Sequence, residues 1–404
     1  MKKNRTSYVK NVAAISLLGM AGLYADANDF DGIVETLLTK DRQLELSALK
    51  TDAESAALGV GNVLPDPEAE FEYLRSGSGE QKFNLSVSQP FEWPGVYGAR
   101  SRQIEYERSG LKLRNETERN TQRMKLRALL VDIIAANRVI GQMSEAVDGC
   151  DKLLDTLEAD YMRGDVSILE VNKIRIELAG FKLKLSEAAT AKEALMGELT
   201  ATAENADGIM AQCDTLDNFP LIGLRTLEQY IDDAKAADPS LCEARNATLV
   251  AKARKKVASQ SVLPGFSAGY RLSHEGGELF NGFTVGVSVP VWRATKERRA
   301  AASEEISAMF GEKAEEIKLE KSIEATYRRA LSLKEALEQC GKALTASDNA
   351  GLLRRAYDSG AITLTELVLD INYFVEAGVQ YTELQRQYYN ALVELSRYDE
   401  NVGQ

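Results

Sequence analysis

The sequence predicts a mainly α chain with a small β part, organised as an internal two-fold repeat, and three observations carry that prediction. Short motifs recur in the same order. Val63-Leu64-Pro65 returns as Val262-Leu263-Pro264, and Val87-Ser88-Gln89-Pro90-Phe91-Glu92-Trp93 returns as Val287-Ser288-Val289-Pro290-Val291-Trp292. Tyr161-Met162-Arg163-Gly164-Asp165-Val166-Ser167-Ile168-Leu169-Glu170 returns as Tyr357-Asp358-Ser359-Gly360-Ala361-Ile362-Thr363-Leu364-Thr365-Glu366. Ordered echoes of this kind mark a duplicated unit. Proline-free stretches rich in helix formers, 95–219 and 291–404, fill much of the chain. Strand-like alternation is confined to four short segments.

Composition narrows the class. The chain has 404 residues and a formal net charge of −12. Lys2, Lys3, Arg5 and Lys10, an apolar stretch from Val12 to Leu23 and the small-residue site Ala25-Asp26-Ala27 read as a secretory signal peptide over 1–27. The first repeat then covers 28–220 and the second 221–404. Loss of the leader removes four basic residues and only one acidic residue, Asp26, which deepens the acidity. That balance argues against nucleic acid as a partner and against general docking on anionic lipid. Beyond the leader no apolar run approaches the roughly 18 to 20 residues of a membrane-spanning helix. Cys150, Cys213, Cys242 and Cys340 are scattered and read as small core residues, with a Cys213–Cys242 disulfide left open. No nucleophile, base and orienting group fall at recognisable spacing and His274 is the only histidine, so neither an enzyme nor a cofactor or metal site is expected.

The strand candidates alternate cleanly. Phe83, Leu85, Val87 and Phe91 share one face, with Asn84, Ser86 and Ser88 opposite; Phe283, Val285, Val287, Val289 and Val291 oppose Thr284, Gly286 and Ser288. Their partners carry Phe71 and Tyr73 against Glu70 and Glu72, and Phe266, Ala268, Tyr270 and Leu272 against Ser267, Arg271 and Ser273. Ser76-Gly77-Ser78-Gly79 and Glu275-Gly276-Gly277 close two hairpins, over about 68–91 and 266–291. Two readings fit: half-buried surface hairpins, or a transmembrane barrel wall that is apolar outside and small-polar inside. Four strands cannot close a barrel, since the smallest needs about eight, whereas three copies supply about 12.

Pro90 and Pro290 suit strand ends, and Pro94 suits a first helical position. A helix from Pro94 to Tyr161 runs about 100 Å at roughly 1.5 Å per residue, and one over 293–357 nearly as far. Leu126, Leu130, Ile133, Ile134 and Ile140, and Ile306, Phe310, Ile317, Ile323, Tyr327 and Leu331, form narrow apolar stripes suited to a coiled-coil-like wall. Gly164 and Gly360 suit the left-handed position just past a helix C-terminus. Ser167 with Glu170, and Thr363 with Glu366, read as capping boxes that start return helices over 167–203 and 363–398. A further helix over 227–261 leads into the second strand pair, as 30–61 leads into the first, and 204–220 reads as a loop-rich joint.

These residues resemble the outer-membrane efflux protein family, the TolC-like exit ducts. Val87 to Gly95, with Gly98-Ala99-Arg100, looks like the strand-to-helix junction of its heavy-metal-efflux branch, placing Pro90, Trp93, Pro94, Gly95, Pro290 and Trp292 at the two junctions. The Tyr-x-x-Gly-x-x-[Ser/Thr]-x-x-Glu turns are similar to the family's helix tips. The resemblance implies a TolC-like fold in which four β-strands per protomer contribute to a trimeric transmembrane β-barrel of about 12 strands, with long coiled-coil helices forming a periplasmic α-barrel. It further implies a homotrimer set in outer-membrane lipid of a Gram-negative bacterium. Such a duct conducts passively and works with a periplasmic adaptor and an inner-membrane pump, RND-type ahead of ABC-type. Heavy-metal cations or small toxic compounds are the implied cargo. The alternatives are the exit duct of a type I protein secretion system and a non-channel periplasmic coiled-coil scaffold.

By the same resemblance, Tyr161, Arg163, Gly164, Asp165, Val166 and Ser167, with Tyr357, Ser359, Gly360, Ala361, Ile362 and Thr363, form tips that meet the adaptor. A solvent-exposed turn with glycine present only for geometry is the other reading. Glu170 and Glu366 match carboxylates that line the inner aperture of relatives, where a ring of them would draw cations. Each also has a sufficient role as a capping-box partner.

Overall fold

The computed structural model describes residues 27–75, 77, 81–203, 207–290, 293–345 and 349–398. The expected leader lies outside them except for Ala27, as do Ser76, Ser78, Gly79, Val291 and Trp292. In chain order the elements are α1 (Ala27–Thr39), α2 (Arg42–Val60), β1 (Glu68–Arg75), β2 (Gln81–Phe91), α3 (Pro94–Met162), α4 (Ile168–Thr202), α5 (Asp207–Asp214), α6 (Leu227–Ala237) and α7 (Pro239–Gln260). They continue with β3 (Gly265–Glu275), β4 (Glu278–Ser288), α8 (Arg293–Thr345), α9 (Asn349–Asp358), α10 (Leu364–Leu395) and a closing 3-10 turn, Ser396–Tyr398. The described residues form two compact units, and each draws on both expected repeats: one holds 27–43, 120–233 and 322–398, the other 44–119 and 234–321.

Within the second unit the two hairpins join. β2 pairs with β3 as well as with β1, giving one antiparallel sheet in the order β1-β2-β3-β4. The register aligns Phe71 with Leu85, Leu85 with Leu272, and Tyr270 with both Val87 and Phe283. Because successive residues alternate sides, this register places all four apolar rows on one face. The helix-attached ends of the strands, Glu68, Phe91, Gly265 and Ser288, lie at one end of the sheet and the hairpin turns at the other. The helices of this unit pack thinly. Val96, Ala99, Ile104 and Leu111 of α3, Leu241, Ala251 and Ala253 of α7 and Ala301 of α8 are buried, while α2 buries no residue.

The first unit carries the larger core. Phe30, Ile33, Val34 and Leu37 of α1, Leu126, Leu130, Ile133 and Ile134 of α3, and Leu392 and Leu395 of α10 are buried. Arg127, buried on α3, donates to Asp31 of α1 at 2.5 Å, and Arg386 of α10 donates to Asp132 of α3 at 2.9 Å. Farther along α3, Met143, Ala146, Val147 and Cys150 pack with Leu178 and Phe181 of α4 and Val375 of α10.

Several expected boundaries move. The helix over 227–261 is two helices, because Asp238 caps a new start by accepting from the Leu241 amide at 2.7 Å and Pro239 occupies its first turn. The stretch 30–61 likewise breaks at Asp41, which accepts from the Gln43 amide at 2.8 Å. The joint 204–220 contains α5, anchored by buried Cys213. Strand β4 ends at Ser288 rather than continuing to Val291. The second long helix is described as α8 and α9, with 346–348 outside the described residues. All four cysteines are thiols. The Cys213–Cys242 disulfide left open therefore does not form, and Cys340 is exposed rather than a core residue. No described helix is long and apolar enough to cross a membrane.

Burial, with Glu177 and Asp151 nearby, pushes the Cys150 thiol up to about 11. Since the thiolate is the reactive form, maleimide should leave Cys150 unmodified in native protein near neutral pH and label it only after denaturation. Peptide mass mapping reads the difference, and native labelling at Cys150 would contradict the packing described.

Candidate functional site: sheet face, junction and helix turns

The sheet has two chemically distinct faces. One carries Phe71, Tyr73, Phe83, Leu85, Val87, Phe266, Tyr270, Leu272, Phe283, Val285 and Val287, and much of it is bare: Phe283 is 90% exposed and Val285 81%. The other carries Glu70, Glu72, Asn84, Ser86, Ser88, Ser267, Arg271, Ser273 and Thr284. Asn84 bridges strands there, donating to Glu72 at 2.6 Å and accepting from the Ser273 hydroxyl at 2.6 Å. Space on this polar face is tight. A Cβ at Gly269 would sit 2.6 Å from the Val87 carbonyl and 2.9 Å from Thr284 Oγ1, so small residues there reflect close approach. His274 lies on the apolar face near the turn end of β3, stacked on Phe83 at 5.2 Å.

The first strand-to-helix junction is built from local chemistry. Beyond Ser88, β2 has no β1 partner, so Pro90, which lacks a donor, pairs only with β3. Trp93 packs against Phe266 with ring centroids 6.1 Å apart, its carbonyl accepts from the Val96 amide at 2.9 Å, and Pro94 opens α3. Arg100 returns to Glu92 at 2.8 Å. A Cβ at Gly95 would come within 3.1 Å of Gln260 Cδ at the end of α7. Of the second junction, Pro290 lies just past β4, and Trp292 lies outside the described residues.

The two helix turns share one geometry. Gly164 has φ 78° and Gly360 φ 75°. The Asp165 amide donates to the Asp160 carbonyl and the Gly164 amide to Tyr161, each at 2.9 Å; Ala361 donates to Ala356 at 2.8 Å and Gly360 to Tyr357 at 2.9 Å. Both pairs are the 6→1 and 5→2 bonds of a Schellman motif. Each turn then restarts through a capping box. The Ser167 amide donates to Glu170 Oε2 at 2.8 Å and the Thr363 amide to Glu366 Oε2 at 2.7 Å, while both N3 amides donate back to the hydroxyls at 3.3 Å. Beneath the turns, Leu157, Val171, Ile174, Leu364 and Leu367 form one cluster, and Val166, Tyr357 and Ile362 pack against it. Tyr161, Arg163, Asp165, Ser359 and Ala361 stay exposed. Arg163 pairs with Asp160 and Asp165. Lys173 donates to Thr365 at 2.8 Å and Lys184 pairs with Glu376 at 3.0 Å, linking α4 to α10.

Sequence reasoning did not find the Schellman bonds, the inward turn of Val166, Tyr357 and Ile362, or the β2–β3 pairing. The Schellman bonds are local, and the turn glycines are their signal; the inward turns and the strand pairing depend on contacts between segments far apart in the chain. Among the described residues no three His, Cys, Asp or Glu side chains form a group able to hold a metal ion.

No protein-family model matches the chain, and no curated protein matches it. Solved structures do. The outer membrane channel CmeC of Campylobacter jejuni is similar at 15% identity and a TM-score of 0.69, over 93% of this chain and 86% of that one. A membrane protein from Pseudomonas aeruginosa gives 14% and 0.70, over 92% and 90%. CusC, whose structures concern transmembrane channel formation, gives 13% and 0.68, over 95% of each chain.

With no contact within 4 Å of an added Cβ at Gly164 or Gly360, substitution there costs only backbone strain. Gly164→Val and Gly360→Val should each destabilise by about 1–2 kcal/mol, and the Asn variants by less; chemical unfolding followed by circular dichroism measures both. Hydrogen bonds from the Thr363 backbone and hydroxyl hold the Glu366 carboxyl below the usual carboxylate range. A depressed folded-state pKa adds stability at neutral pH that is lost as pH falls through the ordinary carboxylate range. The difference in melting temperature between wild type and Glu366→Gln should therefore shrink on acidification, and a pH-independent difference would refute the charge contribution. Taken together, sheet, junctions, turns and structural neighbours give this chain the TolC-like fold of outer-membrane channels.

Proposed function

We propose that the chain is the outer-membrane exit duct of a tripartite efflux system. Three copies pool their sheets into one closed barrel of about 12 strands, and their helices continue it as a periplasmic tunnel. The duct conducts passively, receiving cargo from an inner-membrane pump through a periplasmic adaptor. The single observation that carries this reading is the four-stranded sheet with a bare apolar face, a small-residue polar face and open edges at β1 and β4. A coiled-coil scaffold has no use for such a face. Heavy-metal cations or small toxic compounds are the cargo classes we assign, with an RND-type pump ahead of an ABC-type one.

The exposed tip residues Tyr161, Arg163, Asp165, Ser359 and Ala361 are the surface we assign to the adaptor. Glu170 and Glu366 are held by their caps, each accepting from the amide of its capping residue. In a homotrimer such carboxylates would bias the aperture toward cations.

The purified full chain should run as a detergent-dependent trimer and give discrete conductance steps in planar bilayers; a water-soluble monomer without conductance would overturn the reading. Val285→Arg on the lipid-facing side should cost about 2–4 kcal/mol of insertion, seen as reduced flotation with vesicles. Glu170→Gln with Glu366→Gln should leave the fold intact and lower cation preference in single-channel recordings; unchanged selectivity would remove the carboxylates from the aperture.

A further inference from the structure

We infer that a basic cleft between the end of α7 and the start of α8 binds the phosphate of an anionic glycerophospholipid headgroup and fixes how deep the sheet sits in its membrane. The inference rests on the membrane-barrel reading above. Lys255 and Ser259 of α7 and Thr295, Arg298, Arg299 and Ala302 of α8 line a cleft of about 280 Å³. Acidic neighbours engage some of the cations around it but not all. Arg254 pairs with Glu107 at 2.9 Å and Glu304 at 2.5 Å, and Lys255 with Glu305 at 2.5 Å. Arg298 and Arg299 are exposed and make no ion pair among the described residues. Two helices thus line one space with two guanidinium groups that make no ion pair among the described residues, the paired Lys255 ammonium, the Thr295 hydroxyl and the Ser259 hydroxyl, which donates to the Lys255 carbonyl at 2.8 Å. Arginine's planar donor fork suits phosphate oxygens.

Location selects lipid over other phosphates. Helix α7 ends at Gln260 and β3 begins at Gly265; β4 ends at Ser288 and α8 begins at Arg293; Gly265 and Ser288 are paired. The cleft therefore flanks the helix-attached end of the sheet, directly beyond the apolar pair Phe266 and Val287 and near Trp93 on Phe266. At roughly 1.5 Å per residue, Thr295 to Arg299 occupy the first 10 Å or so of α8. The headgroup layer on each side of the hydrocarbon is roughly 5–8 Å thick, and arginine side chains extend along it. The charge is local as well. Residues 252–260 and 293–302 carry Lys252, Arg254, Lys255, Lys256, Arg293, Lys296, Arg298 and Arg299 against Glu297 alone, in a chain whose net charge is −12. Overall acidity opposes diffuse adsorption on anionic lipid, so the attraction is confined to this belt.

The test uses the full chain purified in detergent, with native mass spectrometry after addition of phosphatidylglycerol, of phosphatidylcholine or of inorganic phosphate. Wild type should retain phosphatidylglycerol over phosphatidylcholine. Arg298→Gln with Arg299→Gln should lower that retention by about tenfold or more, while the oligomer mass is unchanged. The Arg298→Lys, Arg299→Lys pair should restore much of it, and Arg254→Gln, whose charge is already paired, should change it little. Equal retention by wild type and the double Gln variant would overturn the proposal. Displacement of the lipid by inorganic phosphate at equal concentration would assign the cleft to a free anion and overturn it too. Flotation with pure phosphatidylcholine vesicles separates the readings: insertion of both proteins with no arginine-dependent lipid retention defeats the cleft alone, whereas failure of both to insert defeats the barrel and the cleft together.

Discussion

An open sheet that is apolar on one side is the constraint on which the rest depends. β1 and β4 each leave an outer edge whose amides and carbonyls have no partner strand in one chain. In water such an edge beside a bare apolar face invites uncontrolled pairing. In lipid it is worse, because an unsatisfied backbone group in hydrocarbon costs several kcal/mol. On the proposed trimeric reading, closure with the strands of further copies satisfies both the face and the edges. On that reading the polar face lies inside, where Gly269 leaves no room for a Cβ against Val87 and Thr284.

The helix turns solve a different problem twice with the same parts. A long helix ends with four unsatisfied carbonyls and its successor starts with four unsatisfied amides. The left-handed glycine lets two amides fold back on the old helix, and the Ser167–Glu170 or Thr363–Glu366 pair satisfies amides of the new one. Only two residues lie between each glycine and its capping residue, so the reversal is tight and the flanking helices meet at once. That brings Leu157, Val171 and Ile174 against Leu364 and Leu367, and the two hairpins become one packed group. Lys173 to Thr365 and Lys184 to Glu376 then fix α4 beside α10 on the exposed side.

Legibility followed the range of the interactions. Strand alternation, the Pro90 strand end, the turn glycines and both capping boxes are set by neighbours within a few residues, and they read directly. The breaks at Asp41 and Asp238-Pro239 are equally local, since each is a capping carboxylate accepting from an amide two or three residues on. The rest depends on contacts between distant segments. No local signal requires β2 to pair with β3, turns Tyr357 and Ile362 inward, or leaves Arg298 without an ion pair among the described residues while Arg254 and Lys255 find carboxylates from other helices. Helix α5 lies in a polar stretch, where Cys213 is buried.

What a single chain leaves uncovered has a regular spacing. On α4, Leu169, Ile176 and Leu183 are exposed at intervals of seven, the repeat of a coiled-coil seam, while Val171, Ile174, Leu178 and Phe181 supply the buried stripe. In the strand-bearing unit, Ile306, Phe310 and Ile317 of α8 and Leu46 and Leu49 of α2 are likewise bare, and α2 buries nothing. A helix without a buried residue gains almost no hydrophobic stabilisation from its own chain. On the trimeric reading these seams and the open strand edges are covered in the same event, so folding of the strand-bearing unit is coupled to assembly and its stability depends on protomer concentration. The buried core around Leu130, Ile133 and Leu392 needs no such partner, which makes the unit holding the turns the part that can order first.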